Sequence, residues 1–161
     1  MMRLAAPFIP LTLCLALMAH TATATPCAPP DGGAQTVRAL VGLLNQERAG
    51  QGLAALAPDP RLSAAAQAHA CDSAARDRMD HVGSDGSTLP DRVRAQGYRF
   101  RDIAENVAAG QRDATEVVQA WMSSPGHRRN MMMSGITDIG VGLAMARDGT
   151  LHWVLNLGRP R

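Results

Sequence analysis

Residues 139–146, Ile139-Gly140-Val141-Gly142-Leu143-Ala144-Met145-Ala146, decide the fold, because large and tiny side chains alternate along them. A period of two is the signature of a strand. Arg147-Asp148-Gly149 turns the chain and Leu151 to Leu157 alternates again around Trp153, so a hairpin is predicted. The glycines and alanines share one face, where a helix can approach closely. Ile139, Val141, Leu143 and Met145 fill the other.

Upstream, the period changes. Val37, Leu40, Val41 and Leu44 fall at i, i+3, i+4 and i+7, which predicts a helix over about Ala34–Ala49 stopped by Gly50 and Gly52. Asp59 as N-cap with Pro60 in the first turn opens a second helix, dense in alanine, running to about Met79. Residues 80–88 read as a polar loop, and Thr88 with Asp91 forms a capping box for a short helix ending at Gly97. A strand is expected near Ile103–Ala108. Asp113 and Glu116 box the start of a helix through Val117, Val118 and Trp121. It stops at Ser124-Pro125-Gly126, since proline disfavours helical geometry in the residue before it. A short antiparallel sheet between helical layers buries every one of these stripes, giving the α+β class and an α-β-α sandwich.

The chain has 161 residues, 46% hydrophobic and 19% charged, which is globular material with room for one domain. Its 16 cations are all arginine, yet the net charge is only +2, which argues against nucleic acid as a partner. Residues 1–24 read as a secretory signal peptide: one cation at Arg3, an apolar run from Leu11 to Ala19, and Ala22-Thr23-Ala24 before the cut. The run is too short to span a membrane, so no transmembrane segment is expected after cleavage. Residues 25–33 are a proline/glycine-rich lead-in and 34–161 the domain, placed in the periplasm or outside the cell. Cys14 leaves with the signal. Cys27 and Cys71 remain, and an even count in an oxidising compartment suggests a disulfide. The rival reading, a thiol nucleophile or metal pair, has no CxxC spacing behind it.

Four histidines (69, 81, 127, 152) and three glutamates (47, 105, 116) follow the signal. His81 lies in the polar loop, Glu105 on or beside a strand next to Asn106, and His127 just after the break at Pro125-Gly126. All three stand at loops or element ends, where functional groups are displayed. Two imidazoles and one carboxylate, if they converge, make an open site for Zn²⁺ or a similar divalent cation. The other polar residues have structural explanations. His69 continues the stripe of Leu62 and should be packed, and His152, opposite Trp153, should be on the surface. Glu47 and Arg48 pair with neighbours, Glu116 serves its capping box, and Asn106 satisfies turn backbone. Met131-Met132-Met133 fills core. Ser84, Ser87, Ser123 and Ser124 lack a nucleophile-elbow pattern, and HExxH is absent.

Taken together, Leu44-Asn45-Gln46-Glu47-Arg48, Asp59-Pro60-Arg61-Leu62, His81, Glu105-Asn106-Val107-Ala108, the run from Trp121 to Asn130 and Ile139-Gly140-Val141-Gly142 resemble one family. The sequence looks like a bacterial secreted member of the CAP superfamily, which groups cysteine-rich secretory proteins, insect antigen 5 and plant pathogenesis-related proteins. The resemblance covers about residues 37–158. It implies an α-β-α sandwich with a surface cleft, commonly holding two histidines and two glutamates that take up a divalent cation. Carried over by motif, His81 is the first histidine, Glu105 the glutamate of the ENxA string, and His127 the histidine of the SPGHRxN string. Two positions depart from the pattern: Ser124 stands where another glutamate is usual, and Ala104 where a glycine often precedes ENxA. Two functions follow as expectations. One is a binding module for a small-molecule, lipid or cell-envelope ligand, helped by a cation. The alternative is a hydrolase of peptide or cell-wall substrates in which the cation activates water or Glu105 acts as base. Binding is preferred, because no nucleophile signature is present.

Overall fold

The computed structural model describes residues 27–161, so the expected signal peptide at 1–24 lies outside the described residues. The chain runs α1 (Gly33–Gly50), β1 (Ala57–Pro58), α2 (Pro60–Arg76), α3 (Leu89–Ala95), β2 (Phe100–Ala109), α4 (Ala114–Ser123), α5 (Pro125–Met131), β3 (Asp138–Met145) and β4 (Leu151–Pro160). The sheet order is β1-β3-β4-β2. β3 with β4 and β4 with β2 are antiparallel, while β1 adds a two-residue parallel edge that the sequence reading lacked.

Alternation along the hairpin sets the layers. Trp153, Leu155 and Leu157 of β4 and Ile139, Val141 and Leu143 of β3 pack with Leu40 and Leu44 of α1 and Val117 and Trp121 of α4. On the opposite face Ala144 and Val154 meet Ala66, Ala70 and Ala74 of α2. The glycines set the spacing of that second layer. A Cβ on Gly140 would collide with the Leu62–Ser63 backbone, and one on Gly142 with the Ala66–Gln67 backbone. The expected close approach of a helix to the Gly/Ala face is therefore met by α2, and the sandwich is as predicted.

Local chemistry explains the boundaries. Asp59 caps α2 by accepting from the Arg61 and Leu62 amides, and Pro60 occupies the first turn. That helix stops at Arg76, short of Met79, because Asp77 turns left-handed at φ 47°. Thr88 and Asp91 form the predicted capping box. Ser124 is extended, as a residue before proline should be, but Pro125 then starts a new helix, α5, instead of a loop.

Two side chains are corrected by this packing. His152 is 1% exposed, not on the surface, because it shares the α2 face with Val154. Arg48 is 1% exposed rather than paired at a helix end. Its guanidinium donates to the carbonyls of Ala54 (2.9 Å), Met131 (2.7 Å), Met133 (3.3 Å) and Ile136 (3.4 Å), which ties α1 to the loop before β3. The Cys27–Cys71 disulfide is formed, with Cα atoms 6.0 Å apart, and fastens the lead-in to α2.

Candidate functional site

The site gathers around β2, the edge strand opposite β1. Successive residues there face opposite layers, so Glu105 points toward α2 and Asn106 toward α5. Glu105 pairs in register with Asn156 of β4, and its side chain is only 3% exposed.

Two side chains meet that carboxylate. Arg92 of α3 donates from Nη2 to Glu105 Oε2 at 2.7 Å, and His81 Nδ1 lies 2.9 Å from Oε1. In the orientation that satisfies both ends of its amide, Asn156 also donates to Oε2 at 3.2 Å and accepts from the Ala66 amide at 3.2 Å. Arg92 does more than neutralise the acid. Its Nη1 donates to the carbonyls of His81 (3.2 Å) and Ser87 (2.9 Å), so one guanidinium fixes the loop that carries the histidine and the acid that orients it.

The loop is held from below as well. Asp72 of α2 accepts from the Ser84 amide at 2.9 Å, and Asp80 accepts from the Val82 amide at 3.1 Å. His69 Nε2 bonds the Asp80 carbonyl at 2.8 Å, so the packed histidine expected on the α2 stripe supports the turn before His81. Burial, and secondarily the Arg92 charge, pushes the His69 pKa down.

His127 sits in the first turn of α5, half-buried. Burial lowers its pKa and the nearby His81 lowers it further, so the two imidazoles lie within electrostatic reach. Side-chain amides lock its helix to β2. Asn106 Nδ2 donates to the His127 carbonyl (3.1 Å), and Asn130 Nδ2 donates to Asn106 Oδ1 (2.9 Å) and to the Glu105 carbonyl (3.2 Å). Asn106 thus satisfies backbone, as expected, and joins the two motifs.

Of the three residues expected at the cleft, His81 and Glu105 are in direct contact, while His127 bonds neither side chain. The carboxylate accepts, so His81 Nδ1 carries the proton and Nε2 of the neutral ring is left as an acceptor. The His81 side chain is 59% exposed, so that acceptor faces whatever enters. Among the described residues no group of three His, Cys, Asp or Glu side chains is placed to hold a metal ion. Glu105 is already engaged by a guanidinium, and a dication there would face the Arg92 charge. The donor set does not fit a resident cation. Sequence reasoning missed Arg92, and the one available signal was its place directly after Asp91 of the capping box. Beyond Arg92, a separate hollow of about 530 Å³ runs between α2 and α3, with His69, Asp72 and Asp91 among its walls and none of His81, Glu105 and His127.

Comparison with known proteins identifies the family and the fold. The cysteine-rich secretory protein family, CAP, matches residues 41–157, and the chain belongs to that family. It is 36% identical over 120 residues to the uncharacterized protein YkwD of Bacillus subtilis (strain 168), covering 74% of this chain and 47% of that protein. It is also 31% identical over 104 residues to the membrane protein YlbC of the same organism, covering 65% of this chain and 30% of that one. The chain therefore spans less than half the length of these curated relatives. Among solved structures, an outer surface protein of Borrelia burgdorferi superposes with a TM-score of 0.76 at 21% identity, covering 84% of this chain and 99% of that one. An extracellular SCP-domain protein of Bacillus anthracis gives a TM-score of 0.72 at 27% identity, covering 84% and 45%.

Proposed function

We propose that this chain is an exported CAP-domain binding protein whose cleft, formed by His81, Glu105 and His127, recognises an extracellular or cell-envelope ligand. One observation carries the reading. The buried Glu105 carboxylate is spent on positioning, held at 2.7 Å by Arg92, and the group it presents is the exposed His81 ring. A general base needs a carboxylate free to take a proton from substrate or water. An ion-paired, buried one instead fixes a neighbouring ring. Neutral His127, beside it, supplies a second imidazole for hydrogen bonding. The donor set does not fit a divalent cation such as Zn²⁺.

Export is supported by the signal-like order of charged, apolar and small residues over 1–24, by the Cys27–Cys71 disulfide, and by similar proteins described as extracellular or outer-surface proteins. No helix among the described residues is long and apolar enough to cross a membrane.

The test sets wild type beside Glu105→Gln and His81→Ala. Co-sedimentation with purified peptidoglycan is expected for wild type and weakened in both variants, with no release of soluble fragments and no cleavage of a peptide library. Turnover by wild type that disappears in Glu105→Gln would establish the hydrolase instead. Calorimetric titration with Zn²⁺ is expected to show no stoichiometric binding.

A further inference from the structure

Arginine is the only cation this chain uses besides histidine, and part of it is accounted for. Arg61, Arg76, Arg78, Arg92 and Arg112 pair with Asp59, Asp72, Asp80, Glu105 and Glu116, and Arg48 is buried on carbonyls. Arg38, Arg128, Arg129 and Arg147 are exposed and without an ion pair among the described residues, and a further cluster stands where β2 begins, β4 ends and α3 closes. The Arg161 amide bonds the Arg99 carbonyl at 3.1 Å, and Phe100 pairs with Pro160. The next pairing is Asp102 with Arg159, so the register shifts at Arg101, a bulge that leaves it without a partner on β4. Arg94 of α3 lies 5.0 Å above the Phe100 ring. Arg94, Arg99, Arg101 and Arg161 are all exposed, and none of the four forms an ion pair among the described residues. Asp102 answers only Arg159, at 3.4 Å.

Charges on an edge strand often serve to block strand-to-strand aggregation, and Arg99 and Arg101 meet that description. Arg94 and Arg161 do not. One is on a helix and the other follows β4, which is paired on both sides. Five guanidinium groups drawn from three elements make a patch suited to several phosphates at once, since each fork matches a phosphate's oxygens. Half-buried Phe100 lies in the middle of it. An apolar ring among cations suits the boundary where lipid phosphates overlie acyl chains, whereas a soluble polyanion offers the ring nothing apolar.

We propose that this end of the sheet, Arg94, Arg99, Phe100, Arg101, Arg159 and Arg161, docks the domain onto a membrane surface of anionic phospholipid. The surface is separate from the His81–Glu105 cleft and would hold the cleft near envelope material. Each arginine near such a surface contributes about fivefold in partitioning.

The test is co-sedimentation of the full chain with vesicles of phosphatidylcholine and phosphatidylglycerol at about three to one, in about 0.15 M salt. Removing three charges in R94Q/R99Q/R101Q is expected to lower partitioning about a hundredfold, as is raising the salt to about 0.5 M. R38Q/R147Q, equally exposed and elsewhere, should stay within about twofold. Leader residues are identical in all these proteins, so the difference reads the patch. E105Q should bind vesicles as wild type does, which separates this surface from the cleft. Equal binding by R94Q/R99Q/R101Q and wild type, binding to pure phosphatidylcholine, or capture of soluble polyphosphate without vesicle binding would each overturn the proposal. So would a triple variant that binds normally but self-associates, which would leave edge protection as the role of these charges.

Discussion

Replacing Arg92 with methionine keeps the stem and deletes the guanidinium, and the structure fixes what that should cost. The Arg92 side chain is 9% exposed and that of Glu105 is 3%, so solvent cannot screen the acid left behind. Removing one partner of a buried ion pair costs about 3–5 kcal/mol. The lost hydrogen bonds to the His81 and Ser87 carbonyls add about 1 kcal/mol each, and apolar packing of the methionine stem offsets part of the total. A net loss of about 4 kcal/mol lowers Tm by about 10–15 °C in a domain of this size. Glu105→Gln alone strands the opposite charge and should cost about 3 kcal/mol. In the double variant neither charge is left uncompensated, so it should be more stable than the two single losses add up to, by about 2 kcal/mol or more. Urea melts of the four proteins at neutral pH give this cycle. Additivity within about 0.5 kcal/mol would refute the claim that Arg92 and Glu105 form one positioning unit.

Three further outcomes follow from the geometry. Gly142→Ala pushes a Cβ into the Ala66–Gln67 backbone and should cost about 1–3 kcal/mol, whereas Gly42→Ala, exposed in mid-α1 with nothing within 4 Å, should stabilise by about 1 kcal/mol; equal signs in thermal melts would contradict the helix spacing. Replacing Cys27 and Cys71 with serine opens a crosslink across a separation of 44 residues and should cost up to about 4 kcal/mol, read by melts compared with reduced wild type. His69 and His127 both have lowered pKa values in the fold, so the unfolded chain takes up their protons first. Stability should be full above about pH 6.5 and fall as the pH drops toward the folded values, with His127→Gln flattening part of the slope; a flat profile from about pH 7.5 to 5.5 would show these rings to be freely solvated.

What the sequence disclosed was whatever repeats. The Gly/Ala alternation of residues 139–146 announced both a strand and a helix close above it, and the α1 stripe and the Thr88–Asp91 box were equally local. What it withheld had no period. β1 is two residues long and exists only through pairing with Asp138 and Ile139. Pro125 ends one helix and begins another, and the ambiguity is intrinsic, because its fixed φ suits a first turn as well as it bars the residue before. His152 was misplaced for an instructive reason. It alternates away from Trp153, which means outward on a one-layered sheet, but a sandwich covers both faces and α2 lies over it. Its ring nitrogens have no hydrogen-bond partner, apart from an approach of 3.5 Å to Asp77.

The same logic explains how the site is assembled. Glu105 and Asn106 are neighbours on an edge strand, so their side chains enter different layers. Glu105 is reached by α3 and the loop after α2, and Asn106 by α5. His81 and His127 can therefore stand near one another only because both layers close on the strand between them. Neither ring is positioned by its own segment alone: Arg92 holds the backbone of one, and Asn106 the backbone of the other. A motif scan registers the histidines and the acid because they are rare residue types in this chain. The groups that aim them, an arginine and two asparagines, have roles that exist only in three dimensions. Loss of Asn130, which clamps Asn106 and the Glu105 carbonyl together, should thus displace His127 while leaving the His81–Glu105 contact in place.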